Sequence, residues 1–274
     1  MPYLSHIFLY PIKSVTGIQV NQWKVTKTGL EYDRQWMLVD EQQQFLSQRR
    51  LHKMARIKTR IQDDQLIVSA PGQTDLSLAL EPLQQDSINV TIWHDQCSAQ
   101  TISHIADQWF SEFLQTPCRL VYQPKTSQRP VSPQYAHASD QTSFSDGFPF
   151  LIAANASLAL LNQKMGLSLS MQRFRPNLVI SDSASYAEDT WRSINIGDIS
   201  FRLPKPCSRC SVPQINPETA MTDKKEPLYT LSRTRKWNNK VYFGQNALHD
   251  NKGYLQVGDK LTIHQSGPAQ PPLL

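Results

Sequence analysis

Two thiols three residues apart, in Cys207-Ser208-Arg209-Cys210, are the side chains of this sequence best suited to metal or redox chemistry. Thiolate sulfur is a soft ligand for transition metals, and an adjacent arginine favours the thiolate over the thiol. Pro204, Pro206 and Pro213 frame the pair. Proline lacks the backbone donor that a helix or an interior strand requires, so this stretch is expected to be a rigid, irregular loop. The chain holds four cysteines, and the other two, Cys97 and Cys118, stand alone. A four-cysteine zinc site requires two close pairs. An iron–sulfur cluster requires four thiolates at tight spacing, so no intrinsic cluster is expected. A thioredoxin-like pair would open a helix, which the prolines oppose. Two readings stay open from these residues: one cysteine holding a metal that brings most of its own ligands, or two small thiols packed in a turn.

Groups that could hold an anion lie elsewhere. Lys13-Ser14 follows a strand-like run ending in Tyr10-Pro11-Ile12, Arg34 precedes a strand in Asp33-Arg34-Gln35-Trp36, and Arg175-Pro176-Asn177 precedes another. Ser145-Asp146-Gly147 leads toward a helix. Each alone is an ordinary strand end or turn, and no glycine-rich phosphate loop is present. The net charge of +5 is spread along the chain, densest at Arg233, Arg235, Lys236 and Lys240. A few cations around a small anionic cofactor account for this balance as well as nucleic acid would. With no continuous basic helix or recognition fingerprint, nucleic acid is not the expected partner.

Strands must position these groups. Alternation marks Ile57–Ile61, Leu76–Leu80 and Ile88–Ile92, and shorter runs mark Ile7–Tyr10, Trp36–Val39, Leu66–Val68, Arg119–Tyr122 and Leu178–Ile180. Gly197-Asp198 joins Ile194–Ile196 to Ile199–Phe201 as a hairpin, and Val257–Leu261 repeats that turn chemistry. Helices are few. An apolar stripe runs from Ile102 through Ile105, Trp109 and Phe110 to Leu114 and stops before Pro117. A second helix is expected from Asn155 as N-cap to Gly166, and a short one over Leu169–Phe174. The polar stretch 124–143 reads as a linker or long loop and 267–274 as a loose tail. The expected fold is mainly β (α+β), with a β-rich unit at 1–122, a second β-rich unit at 123–265 with a few peripheral helices, and a tail at 266–274.

Taken in order, Tyr10-Pro11-Ile12-Lys13-Ser14, Asp33-Arg34-Gln35-Trp36, Phe174-Arg175-Pro176-Asn177, Tyr186-Ala187-Glu188-Asp189, Cys207-Ser208-Arg209-Cys210 and Phe243-Gly244-Gln245-Asn246 resemble the MOSC family. The branch is the one with an N-terminal β-barrel domain, which includes the mitochondrial amidoxime-reducing components and bacterial relatives. The resemblance spans about residues 3 to 264 and implies that the unit at 123–265 is a β-barrel with which the first strands of the chain can pack. It implies a molybdenum-pterin cofactor (Mo-molybdopterin), with Cys210 as the catalytic metal ligand and Cys207 outside the metal's immediate shell. It further implies that Lys13, Ser14, Arg34, Arg175 and Asn177 grip the phosphate and pterin. Ser208 and Arg209 would lie near the metal, and Asp146, Gly147 and Phe148 beside the pterin. Asn246 would make a further contact, at a position where some relatives carry tyrosine.

The reaction so implied is two-electron reduction of N-hydroxylated small molecules, such as amidoximes or hydroxylaminopurines, to amines or amidines. Electrons would come from a separate donor protein, a flavin reductase or a small haem or iron–sulfur carrier. The alternative is a sulfur or cofactor carrier using a cysteine persulfide. No apolar run reaches bilayer-spanning length, the chain leads directly into a strand-like segment at Tyr3, and four cysteines without framework spacing suit a reducing compartment. A cytoplasmic protein without a membrane partner is expected.

Overall fold

In the computed structural model, residues 1–83, 86–222 and 225–272 are described; Leu273 and Leu274 of the expected tail lie outside them. Among these residues the largest sheet has nine strands. Its order runs Leu261–Ser266, Trp191–Ile196, Ile199–Ser208, Lys240–His249, Phe150–Ala154, Leu178–Ser181, Tyr3–Leu9 and Ile18–Val20, with Lys236–Trp237 added beside Lys240–His249. Neighbours are antiparallel except Phe150–Ala154 and Leu178–Ser181, which pair in parallel. A parallel pair requires a crossover, and the helix Asn155–Met165 supplies it. The chain's first strand also reaches the opposite end of the sheet. Leu4 N donates to Asp259 O at 2.8 Å and Leu261 N to Pro2 O at 2.9 Å, closing the sheet on itself. Leu4, Ile7, Phe150, Ile152, Trp191, Ile194 and Phe201 share the core this closure creates.

The other β-rich unit holds a four-stranded sheet (Trp36–Val39, Arg119–Tyr122, Asp95–Thr101, Ser87–Ile92) and a three-stranded one (Lys58–Gln62, Gln65–Ser69, Leu76–Ala79). The helix His104–Leu114 contributes Trp109, Phe110 and Leu114 to a core shared with Leu66, Val68, Leu76, Leu120 and Trp36. Ser103 caps it by accepting from Ala106 N, and Gln115 ends it in the left-handed region. Ile105 is 71% exposed: at 3.6 residues per turn it falls roughly 100° from the centre of the buried stripe, so its place in the expected core is corrected.

Four further expectations change. Pro204 and Pro206 lie within a strand, Ile199–Ser208, not a loop. Past Arg202 that strand has lost its Trp191–Ile196 neighbour and keeps irregular register with Lys240–His249, an edge environment that tolerates proline. Asn155 is not the N-cap, a position held by Ala154. The cap is supplied from afar: Glu188 accepts from Ala154 N at 3.2 Å and from Ser157 Oγ at 2.8 Å. The turn at Val257–Lys260 is real, but the strands it joins pair with Gln22–Thr26 and Trp191–Ile196 instead of each other. The tail is not loose up to residue 272. Gly267 N donates to Thr190 O and Gln270 N to Asp189 O, both at 2.9 Å, and Pro271 is buried.

The polar stretch 124–143 is folded against both units. Arg129, 2% exposed, donates to Ser143 O at 2.8 Å and Ser145 O at 2.7 Å and pairs with Asp95 at 2.7 Å.

Candidate active site

The expected site residues converge on one cleft with a volume of about 130 Å³. Lys13, Ser14, Arg34, Asp146, Gly147, Phe148, Arg175, Asn177, Arg209, Cys210 and Asn246 all line it, and Cys207 joins them. Ser208 does not: it is exposed at the end of its strand, opposite Tyr242.

One wall comes from segments that leave the barrel. Tyr10 follows the strand Tyr3–Leu9, and its ring lies 4.3 Å from the guanidinium of Arg34 and 4.3 Å from that of Arg175. Cations stack on an aromatic face because its electron density attracts them. Arg34 pairs with buried Asp33 and donates to Asn177 Oδ1 at 2.9 Å and Arg175 O at 3.3 Å. Asn177, 1% exposed, spends its amide on Phe8 O at 3.2 Å. Arg175 donates to Val15 O at 2.6 Å. Burial lowers Arg175 to about 10, still protonated at neutral pH.

Ser14, Arg34 and Arg175 have φ of 63°, 50° and 56°. Left-handed backbone costs a residue with a Cβ roughly 1–3 kcal/mol and persists only where surrounding contacts impose it. Here those contacts are Arg34 N to Tyr10 O at 2.7 Å, Arg175 N to Gln172 O at 3.1 Å, and Gln48 Nε2 to Ser14 O at 2.9 Å.

Lys13 enters from the same segment and forms a 2.6 Å ion pair with Asp146. Its side chain is 6% exposed, whereas that of Asp146 is 73% exposed. Burial pushes Lys13 down to about 8, against the opposing pull of Asp146. Gly147 faces open space, so no tight contact demands a glycine there. In the opposite wall, Gly244 is required: its φ is 78° and a Cβ would meet Ile152 O at 2.9 Å. This lets Lys240–His249 approach Phe150–Ala154 and sets Asn246 against Leu151 and Lys205. Asn246 donates to Pro206 O at 3.4 Å.

The two cysteines stand differently. Arg209 turns its guanidinium onto Cys207, with Nη1 to Sγ 3.1 Å, and onto Phe174 O at 2.8 Å. The arginine expected to serve Cys210 thus sits on its neighbour. Cys210 is exposed in the cleft, and Cys207 is half-buried. All four cysteines are free.

Sequence reasoning missed Tyr10, Asp33 and Phe174, which position the arginines. An acid directly preceding a strand-initiating arginine was a usable signal for Asp33. Nothing local marks the other two. His249 is half-buried, with Nε2 2.6 Å from Thr26 O.

The donor set suits an anionic ligand and one metal–sulfur bond. Among the described residues neither Arg175 nor Arg209 meets a carboxylate at ion-pair distance, and Arg209 Nε is buried without a hydrogen-bond partner. No group of three or more His, Cys, Asp or Glu among the described residues is placed to hold a metal ion. A metal at Cys210 would therefore bring other ligands with it.

A closed β-barrel carrying a cationic cleft with one exposed and one half-buried thiol, joined to a second β-rich unit, places the chain in a recognisable class. Residues 1–117 match the MOSC N-terminal beta barrel domain and residues 139–262 the MOSC domain, and the chain belongs to the MOSC family that carries both. It is similar to mitochondrial amidoxime-reducing component 1 of Mus musculus, at 33% identity over 95% of this chain and 82% of the relative. The Homo sapiens counterpart is 31% identical over the same shares. It is also 31% identical to the molybdenum cofactor sulfurase of Oryza sativa subsp. japonica, over 88% of this chain but 32% of that protein. No helix among the described residues is long and apolar enough to cross a membrane.

Proposed function

We propose that the cleft takes up a molybdenum-pterin cofactor through Cys210 and that the protein reduces N-hydroxylated compounds, such as amidoximes and hydroxylaminopurines, to amidines or amines. One observation carries this reading: an exposed thiol shares its cleft with Arg175 and Arg209, which have no carboxylate partner among the described residues. The substrate class is supported by the similarity to amidoxime-reducing components over most of both chains.

When bound, the cofactor supplies the two-electron couple that N–O cleavage needs. The chain's part is binding and orientation. Cys210 donates its thiolate to the metal. Arg175, with a planar fork for two parallel hydrogen bonds, and Lys13, a point charge, hold the phosphate. Arg34, held in place by Asn177 Oδ1, presents its guanidinium to the pterin, and Asp146–Phe148 and Asn246 stand beside it. Arg209 holds the Cys207 segment against the Phe174 carbonyl. In balance, the substrate takes two electrons and two protons, its N–O bond breaks, and amine or amidine leaves with water. The electrons come from a separate donor protein. A cytoplasmic location rests on cysteine usage, all four thiols being free.

The test is molybdenum and pterin analysis of protein from a cofactor-competent host, followed by benzamidoxime reduction with a chemical donor. Near-stoichiometric metal and turnover are expected. Cyanide-labile sulfur without molybdenum would instead favour the persulfide carrier. Arg175→Ala and Arg34→Ala should weaken cofactor retention by roughly 10- to 150-fold, seen as less molybdenum per protein, as loss of a charge-assisted contact worth about 1.5–3 kcal/mol implies. Turnover per bound molybdenum should change less.

A pH dependence follows from Lys13. Pyrophosphate, used as a probe of the cofactor-free cleft, is held best while this lysine is charged. Its affinity should fall as pH rises through about 8, where Lys13 loses its proton. Calorimetric titration at pH values on either side should show a decline that Lys13→Met abolishes.

A further inference from the structure

The hairpin beside the cysteine segment has a surface that the proposed chemistry does not use. Arg209 N donates to Val241 O at 2.8 Å, which ties the cysteine segment to the strand Lys240–His249. On the far side of the same strand, Lys236 pairs with Val241 and Trp237 with Lys240, joined by Asn238 and Asn239 at φ of 45° and 59°. That turn chemistry projects the tip into solvent. Lys236, Trp237 and Lys240 are all exposed, Trp237 at 39%.

The charge on this face has one sign. Residues 228–245 contain Arg233, Arg235, Lys236 and Lys240 and no Asp or Glu, and 199–213 contribute Arg202, Lys205 and Arg209 against no acid. Arg235 is neutralised by buried Asp189, and Arg202 by Asp140 and Asp250. Arg233 rests on exposed Tyr229, 5.7 Å from the ring centroid. Among the described residues Arg233, Lys236 and Lys240 have no carboxylate within ion-pair distance. An exposed tryptophan rimmed by unpaired cations of one sign, beside the strand that carries the cysteine segment, offers an aromatic anchor inside a field that attracts an acidic surface.

We infer that this hairpin is the docking surface for a small electron-carrier protein with a carboxylate-rich face. The inference rests on the proposed reductase reading and names the character of its donor. A reduced carrier seated on Lys236, Trp237 and Lys240 lies one strand from Cys210. It is oxidised there as the protein is reduced, two electrons being delivered per N–O bond cleaved. Charge steers the encounter and Trp237 supplies the desolvated contact.

The test uses the full chain, with flavodoxin as an acidic probe carrier and cytochrome c as a cationic one. Titration into isotopically labelled flavodoxin should give binding that weakens at least about tenfold as ionic strength rises and the Debye length falls from about 30 Å to about 8 Å. Lys236→Glu combined with Lys240→Glu should weaken it about tenfold or more, and Trp237→Ala by a similar factor. Thermal melting and benzamidoxime turnover with a reduced viologen dye should stay unchanged in both variants. Equal binding of cytochrome c, flavodoxin binding indifferent to charge reversal, or tighter binding of a single-stranded RNA oligonucleotide that displaces flavodoxin would each overturn the inference. If dye-driven turnover is absent in the wild type, the reductase reading fails. The flavodoxin titration reads the docking surface independently of that result.

Discussion

Cys210→Ala should yield folded protein without molybdenum and without reductase activity, whereas Cys207→Ala should keep both at measurable levels. The two thiols line the same cleft, yet only one is available. Cys207 Sγ is 3.1 Å from Arg209 Nη1 and also lies 3.7 Å from Ser208 O. Cys210 is exposed and, among the described residues, makes no side-chain hydrogen bond. Removing Cys207 takes away an orienting contact, for which a loss of roughly 10–100-fold is the ordinary scale. Removing Cys210 takes away the only sulfur free to bond the metal, and its cost should exceed that range. Molybdenum per protein and turnover per protein, measured together on both variants, check the ranking. The opposite order would move the ligand to Cys207.

Asp189→Ala should cost about 3–5 kcal/mol of stability, the usual penalty for stranding one member of a buried ion pair. Asp189 is 2% exposed and lies 2.6 Å from Arg235, itself 4% exposed. Its second oxygen accepts from Gln245 Nε2 at 2.7 Å, and Gln245 also donates to Gln270 O at 2.8 Å. One carboxylate therefore fastens the helix Leu228–Thr234, the long strand Lys240–His249 and the C-terminal segment. Without it, Arg235, stacked 3.9 Å from Tyr186, has no other carboxylate at ion-pair distance among the described residues. Urea unfolding measures the change. Asp189→Asn, which keeps the acceptor but not the charge, should fall between wild type and alanine.

The strands that alternate, and the helix whose buried stripe runs from Ala106 to Leu114, were legible because burial of one face leaves a period in the sequence. The strand through Pro204 and Pro206 was not. Proline reads as a breaker, and the local edge that accommodates it depends on where Trp191–Ile196 stops pairing. Closure of the barrel by Leu4 and Asp259 was hidden for a related reason, since residues so distant in sequence leave no local mark when they pair. In the cleft, the charged residues could be named from their resemblance to a family. Their conformations could not. Arginine and serine are poor candidates for left-handed backbone, and only the assembled surroundings of Tyr10, Gln48 and Asn177 impose it on Ser14, Arg34 and Arg175. The turn of Arg209 toward Cys207 is likewise a property of packing, because sequence adjacency places it equally near Cys210.

Because the first strand bonds to Asp259 and Leu261, the barrel stays open on the ribosome until residue 261 has emerged. Lys13 and Arg34 are synthesised early and Cys210 late, so a nascent chain carries the two halves of the cleft unjoined. A ligand that touches both halves can therefore be enclosed only after the segment carrying residue 210 has left the ribosome and folded onto the first strands.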